Sequence, residues 1–398
     1  MKAAIIGASS ESLHTIEMAK KHGITVVALD GNENAEGLKT ADISQVVNIS
    51  KEEETVQALE KEKIDFVLTV PIGRYLTTIG YVNDSLQLPG IGKEATVLCT
   101  DKLMFHQKMA ENGLRYCSCL EMKEDLKDRE TVCQEIENGK MSLTFPAILK
   151  PRFGSGSRGI HFINTVEELK EGLKVTAGED YVLEECVEGE EYGLDGAVID
   201  GKFYPVLLRH KENTPLPARQ AVAYFSVMPE DEFYLEVKTF MEKTVKVLGL
   251  NECLLHADII RGEKGPFIIE MSARPSGHNL HNLFTPLCTG VDMAEEYIKC
   301  RMGKGYSFEP EETKQMMIHY FDMQGKVEWV PDKAYIESIL GIHFVAWECN
   351  IKEGDVLEEV SNGHSLMGRG FFVLEGKSEE ELKKNAEEVK VLFHVVKS

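Results

Sequence analysis

The chain has 398 residues, 43% of them hydrophobic, more than one ordinary core needs, so roughly two to four lobes are expected. Its 44 basic against 66 acidic residues leave a formal net charge of -22, which argues against a long nucleic acid or an anionic membrane surface as partner; any bound phosphate needs local positive charge. No run of about 18 apolar residues exists, the opening MKAAIIGASSE turns polar too soon for a signal peptide, and the nine scattered cysteines form no C-x-x-C pair, so the expectation is a cytoplasmic protein with reduced thiols.

In chain order, KAAIIGA reads as a strand, Ser12 to His22 as a helix, ITVVALD as a strand, Lys51 to Lys61 as a helix and IDFVLTV as a strand. This is a parallel α/β unit. Its first turn places Gly7, Ser9 and Ser12 where a dinucleotide fingerprint needs three glycines, so Asp30 at the end of the second strand does not suffice for NAD binding. Thr100 or Asp101 caps a helix that carries Leu103, Met104, Gln107, Met109 and Ala110 as far as Gly113. Glu121 to Lys140 is acidic and polar, and Phe145 to Cys186 reads strand, glycine loop, strand, helix (Thr165 to Gly172), strand. Beyond it, Asp200-Gly201 marks a hairpin, Asp231 to Gly249 reads as a helix, and LLHADIIRGEKGPFIIEMSAR as two strands around Gly262 and Gly265. Polarity rises after Met302, and SEEELKKNAEEVKVLF closes the chain with a helical pattern.

Gly154-Ser155-Gly156-Ser157-Arg158-Gly159 matches G-x-G-x-x-G by letter, but a dinucleotide fingerprint ends by opening a helix, and here IHFINT alternates like a strand. No Gly-Lys-Ser/Thr closes it as a Walker loop either. What remains is a hairpin flap whose N–H groups can fold over phosphates, with Lys150 just before it as the charge. Taken alone, a plain surface hairpin fits equally well.

Asp258 and Glu270 lie equidistant from a turn near Lys264, so a regular hairpin sets them opposite each other. Two facing carboxylates repel unless a hard cation bridges them, and oxygen ligands completed by ATP phosphates suit Mg²⁺. Glu270, Ser272 and Arg274 alternate onto one face, which puts a hydroxyl and a cation beside the two acids. The neighbouring Ile259, Phe267, Ile268 and Ile269 make these strands buried ones, where carboxylates need partners.

With these parts in this order, the chain resembles the ATP-grasp superfamily, in the branch of biotin carboxylase, the carbamoyl phosphate synthetase large subunit, the purine-pathway ligases and the L-amino acid ligases. TDKLMFHQKMAENGL resembles the segment with the first ATP lysine, Lys102, and FPAILKPRFGSGSRGI the second, Lys150, followed by the glycine loop Gly154, Ser155, Gly156, Ser157 and Gly159. YVLEECVEGEEYGLDG resembles the hinge, which implies that Glu184, Glu185 and Val187 meet the adenine, mostly through backbone groups, and Glu191 the ribose. HADIIRGEKGPFIIEMSARPSG resembles the metal hairpin, which implies Asp258, Glu270 and Ser272 on Mg²⁺ (or Mn²⁺) and Arg274 facing the transferred phosphoryl group. Ser272 stands where the family pattern has asparagine, and a hydroxyl ligates more weakly or through water. His278 stands where biotin carboxylase has a glutamate, which counts against bicarbonate carboxylation; it joins Arg274 and Lys150 as a candidate catalytic residue.

The resemblance implies an α/β fold class: an N-terminal parallel α/β (pre-ATP-grasp) lobe over 1–100, then a two-lobed α+β ATP-grasp fold over 101–187 and 188–305, and a closing lobe over 306–398. It implies an ATP-dependent ligase that phosphorylates a carboxylate and couples it to an amine. The expected partners are these two small molecules, with no nucleic acid and no membrane, and a homodimer is open. The alternatives are a purine-pathway or carboxyphosphate-forming ligase, and an ATP-binding regulatory protein without chemistry. His256, His278 and His281 raise a zinc site as a lesser reading, Arg74 at the end of the third strand is a candidate for a substrate carboxylate, and Arg152 and Arg158 are expected to serve phosphate charge.

Overall fold

The computed structural model describes all residues except 124–125, 142, 155–158, 177, 216–218, 361–362 and 397–398. Strands β1 (Lys2–Ile6), β2 (Thr25–Asp30), β3 (Ile43–Val46) and β4 (Phe66–Leu68) form a parallel sheet in the order β3-β2-β1-β4. Helices cover both faces, so β1, β2 and β4 are nearly continuous apolar runs rather than alternating ones. The carboxylate of Asp30 accepts the backbone N–H groups of Ala8 (2.7 Å) and Asn32 (2.8 Å). It ties down the first turn.

A second sheet, in the order β5-β8-β6-β7, contains β5 (Cys119–Met122), β6 (Ala147–Pro151), β7 (His161–Ile163) and β8 (Tyr181–Glu185). It packs under two helices, Leu126–Glu137 and Val166–Val175, around a core of its own that includes Met122, Leu149, Leu169 and Leu183. The acidic stretch before Lys140 thus holds a strand and a helix, an element that polarity hides because only one face, with Val132, Cys133 and Ile136, reaches the core.

The large antiparallel sheet runs β13-β12-β9-β10-β11-β14-β18-β16. Its strands are β9 (Glu190–Ile199), β10 (Lys202–Asn213), β11 (Ala221–Ser226), β12 (Cys253–Gly262), β13 (Gly265–Ser272), β14 (Met316–Tyr320), β16 (Phe344–Cys349) and β18 (Gly370–Glu375), while β15 (Gly325–Trp329), β17 (Val356–Leu357) and β19 (His394–Val396) form a small sheet in the order β17-β15-β19. Asp200 and Gly201, with φ of 51° and 72°, make the two-residue turn between β9 and β10 that the Asp-Gly pair predicts. The helix Glu232–Val247 is capped by Asp231 and the helix Glu379–Leu392 by Ser378, as their sequences suggest.

One core joins the N-terminal sheet to the large sheet: Ile6, Leu29 and Ile79 pack with Phe105 and Met109 and with Leu194, Met241 and Leu255. The β5–β8 lobe, by contrast, has an independent core, and the cleft described next lies along its border. Among the described residues no helix is long and apolar enough to cross a membrane.

Candidate active site

One cleft is lined by Arg74 from the N-terminal lobe, Lys102, Gly154, and Glu270, Ser272 and Arg274 at the end of β13. The structure therefore brings together side chains that the sequence places far apart.

Lys102 starts the helix Lys102–Glu111, whose N-cap Asp101 accepts the amides of Leu103 (3.0 Å) and Met104 (3.2 Å). The ammonium of Lys102 donates to the Gly154 carbonyl at 2.9 Å and lies 3.5 Å from Glu270 Oε2. It thus spans the foot of the glycine loop and the acid hairpin. Arg152 departs from expectation: its guanidinium grips Asp101 through Nε (2.9 Å) and Nη2 (2.6 Å) and Glu121 at 2.5 Å. These carboxylates claim the charge that the sequence reading gave to phosphate, and they lock the end of β6 to the start of the lysine helix. Ser155, Gly156, Ser157 and Arg158 lie outside the described residues.

Lys150 on β6 pairs at 2.6 Å with Glu184 on β8, both side chains buried. Ile148 is the register partner of Glu184 and Lys150 that of Val182, so the two charges share a face two positions apart. Burial opposes the charge on each, but the ion pair outweighs it: Lys150 is raised above the usual ammonium range and Glu184, also facing His106, is held at about 2. The side chain of Glu184 is thereby committed to Lys150, which leaves only its backbone for the adenine role. Glu185 is exposed, and Val187 packs on the small apolar cluster of Cys117, Ile260 and Phe267. Glu191, expected at the ribose, pairs with Arg219 at 2.6 Å.

Asp258 is opposite Glu270 in the β12–β13 hairpin, and His256 is opposite Ser272. The reason differs from the expected one. The turn closes at Gly262 and Gly265, which in an unbroken ladder would set Asp258 against Ile269; a bulge leaves Ile269 unpaired and brings Glu270 into place. Glu270 is half-buried and lines the cleft beside Lys102, whereas Asp258 receives Lys211 from β10 and lies 3.3 Å from His256 Nε2. Burial would raise the Asp258 carboxyl, but these two cationic neighbours hold it far below the usual range, and Lys211 is raised in turn.

His256 Nδ1 continues to Asp195 Oδ1 at 3.3 Å, and Asp195 is fully buried against Arg209 at 2.5 Å and the Ser276 hydroxyl at 2.8 Å. A chain of paired charges thus runs through the sheet and ends on Asp258. Sequence reasoning missed Lys211, Asp195 and Arg209. The available signal was charge on alternate residues of β10 (Arg209, Lys211) behind the Asp-Gly turn.

Arg274 donates to the carbonyls of Ile72 (3.0 Å) and Pro275 (2.8 Å), and burial lowers its pKa. Arg74 is exposed and lies 5.3 Å from the Tyr75 ring at the cleft mouth. His278 is not at the cleft: its backbone N–H donates to Glu11 at 2.9 Å, its carbonyl accepts from the Tyr320 hydroxyl, and its ring stands against Gly363. The reason is local, since φ of 61° and 57° at His278 and Asn279 turns the chain away from β13. His281 is buried with Nδ1 on the Ser276 carbonyl, so His256, His278 and His281 each have separate partners and form no common ligand set among the described residues. The zinc reading on these three residues is thereby corrected.

Residues 143–281 match the ATP-grasp domain family. The chain is 24% identical over 67% of its length to the uncharacterized protein y4rH of Sinorhizobium fredii, and 25% identical over 48% of its length to a D-alanine–D-alanine ligase of Lacticaseibacillus casei. It spans about half of these curated relatives, 56% and 53% of their respective lengths. Its fold superposes on that of an L-amino acid ligase from Bacillus licheniformis with a TM-score of 0.78 at 19% identity, covering 100% of this chain and 98% of the other.

Proposed function

We propose that this chain, built around an ATP-grasp domain, is an ATP-dependent ligase that converts a carboxylate to an acyl phosphate and passes the acyl group to an amine, yielding an amide, ADP and phosphate. The observation that supports it is the single cleft where Lys102, the Gly154 carbonyl, Glu270, Ser272 and Arg274 converge. An amine does not displace hydroxide from a carboxylate at a useful rate, whereas phosphate is a good leaving group, and no nucleophilic side chain is required.

In this reading Lys102 and Lys150 bind the phosphates, Arg274 faces the transferred phosphoryl group, and charge stabilisation comes from groups already fixed in place. Lys150 keeps its charge while buried because Glu184 pairs with it. Val187 and Ile269, half-buried over the buried Phe267, offer adenine an apolar surface. Asp258, Glu270 and Ser272 are an all-oxygen donor set that fits Mg²⁺, and Lys211 and Lys102 now meet the two acids' demand for positive charge. Bound there, Mg²⁺ neutralises and orients phosphate oxygens. The glycine loop would, in this reading, shield the acyl phosphate from water. Arg74 at the cleft mouth is the candidate for the substrate carboxylate. His278, whose ring stands against Gly363, is given no part in phosphoryl transfer in this reading. Nine unpaired cysteines suit a reducing cytoplasm.

The test is a screen of carboxylate and amine pairs for phosphate release, with mass spectrometry of the products. Pair-dependent ADP and an amide product support the reading. Turnover that needs bicarbonate and no amine would replace it with the carboxyphosphate reading, and tight MgATP binding without ADP formation from any pair would replace it with a regulatory one.

A further inference from the structure

Behind Lys150, next to its partner Glu184, lie two side chains to which the ligase reading gives no part. His106, from the lysine helix, and Cys117, just before β5, are each 2% exposed, and Glu184 on β8 is 3% exposed. His106 Nε2 is 3.6 Å from Cys117 Sγ and 3.5 Å from Glu184 Oε1, and the three ligand atoms all lie within 4.8 Å of one another. Cys119 borders the set, with Sγ 3.9 Å from the same Glu184 oxygen. The imidazole plane is fixed by stacking on Phe267 at 6.0 Å and by the edge of Phe105 at 5.2 Å.

These separations have a chemical meaning. With ordinary zinc bond lengths, the edges of a tetrahedral site are about 3.5 Å from nitrogen to sulfur and about 3.4 Å from nitrogen to oxygen. The observed edges are 3.6 and 3.5 Å. Nitrogen, sulfur and oxygen donors of this kind select a thiophilic ion over Mg²⁺, which prefers the all-oxygen hairpin. We propose that His106, Cys117 and Glu184 form a second metal site, for a divalent ion of the zinc class, that shares Glu184 with the ATP lysine Lys150.

On binding, the Cys117 S–H bond breaks, its proton leaves to solvent and the thiolate pair bonds the metal. His106 contributes the Nε2 lone pair and Glu184 its Oε1, while Oε2 remains 2.6 Å from Lys150. One thiolate and one carboxylate balance the dication, so the charge of Glu184 is drawn to the metal and Lys150 is left with one net positive charge to offer. The metal therefore acts on the nucleotide site from behind. This coupling, though not the metal site itself, rests on the proposed phosphate role of Lys150.

The test is a Co²⁺ titration of the full-length protein with Mg²⁺ in excess to fill the oxygen site. The expected result is one equivalent bound with tetrahedral visible bands and a sulfur-to-metal charge-transfer band, all displaced by Zn²⁺. Cys117→Ser and His106→Gln each weaken Co²⁺ binding at least tenfold, while Glu270→Gln keeps it. No charge-transfer band at one equivalent, or a band unchanged in both variants, overturns the site. Should either variant fail to fold, the wild type still decides: one equivalent of Zn²⁺ in Mg²⁺ buffer must raise its Tm, and no rise overturns the proposal. Zn²⁺ is also expected to strengthen ADP binding several-fold, since it adds one net positive charge behind Lys150, and unchanged or weaker ADP affinity at full Zn²⁺ occupancy overturns the coupling. Absence of ADP binding without Zn²⁺ would instead overturn the ATP reading and leave the metal site to be judged by cobalt alone.

Discussion

Lys150 and Glu184 meet at 2.6 Å where each side chain is only 4% exposed. Removing one member of such a pair strands the other charge in an apolar setting, at a cost of roughly 3–5 kcal/mol. Glu184→Gln is therefore expected to destabilise the β5–β8 lobe by about that much and to weaken ATP binding, read by denaturant unfolding and nucleotide titration. The pH dependence has a definite sign. The Glu184 carboxyl falls from 4.5 to about 2 on folding, so its contribution is complete above pH 4.5 and is lost as pH falls through about 2. Stability measured across that window should fall more steeply in the wild type than in Glu184→Gln. Equal slopes would show that the pair does not carry the acid sensitivity.

The two hairpin acids should respond unequally. Glu270 is half-buried with Lys102 at 3.5 Å, so Glu270→Gln is expected to change stability by less than about 1 kcal/mol. Asp258 balances Lys211, which is 9% exposed, and His256, so Asp258→Asn leaves cationic groups inside the sheet and should cost roughly 2–4 kcal/mol. Both should abolish Mg²⁺-dependent ADP formation. A well-folded Glu270→Gln protein with near-normal turnover would remove Glu270 from the metal site.

The site was legible where a local pattern fixed it. Thr100 or Asp101 before an apolar run marked the helix start, the resemblance of TDKLMFHQKMAENGL to the family's lysine segment supplied Lys102, and the β12–β13 hairpin is short enough that its acids could be paired by counting. Even there the agreement needed the bulge at Ile269, which the sequence does not announce. Contacts set by sheet order were not legible. Lys211 reaches Asp258 because β9 lies between β10 and β12, whereas Arg209 meets Asp195 diagonally across the β9–β10 hairpin itself. Likewise β14, β16 and β18 add to the large sheet through β11, a non-consecutive pairing that the polar composition after Met302 conceals.

Arg152 separates the two readings most directly. If its guanidinium served phosphate, Arg152→Ala would mainly weaken nucleotide binding. Held instead by Asp101 and Glu121, it should lose roughly 1–2 kcal/mol of stability as the N-cap acid loses its bidentate partner. The affinity for ADP should then change by less than about threefold, a factor worth under ~1 kcal/mol. Thermal unfolding and ADP titration of this one variant decide the matter: a tenfold loss of affinity at unchanged Tm would restore the phosphate role.

Gly159 closes the loop that begins at Gly154, and its φ of 68° lies in the left-handed region. A Cβ there would stand 2.7 Å from the Tyr181 hydroxyl, and further contact with the Pro151 ring leaves little room to yield. Gly159→Ala thus combines a backbone penalty of about 1 kcal/mol with a collision at β6 and β8, the strands that carry Lys150 and Glu184. The expected outcome is a loss of roughly 1–3 kcal/mol confined to the β5–β8 lobe, seen as faster amide hydrogen exchange in β6 and β8 with unchanged protection in the N-terminal sheet. Protection lost equally in both sheets would mean that the lobes unfold together, contrary to their separate cores.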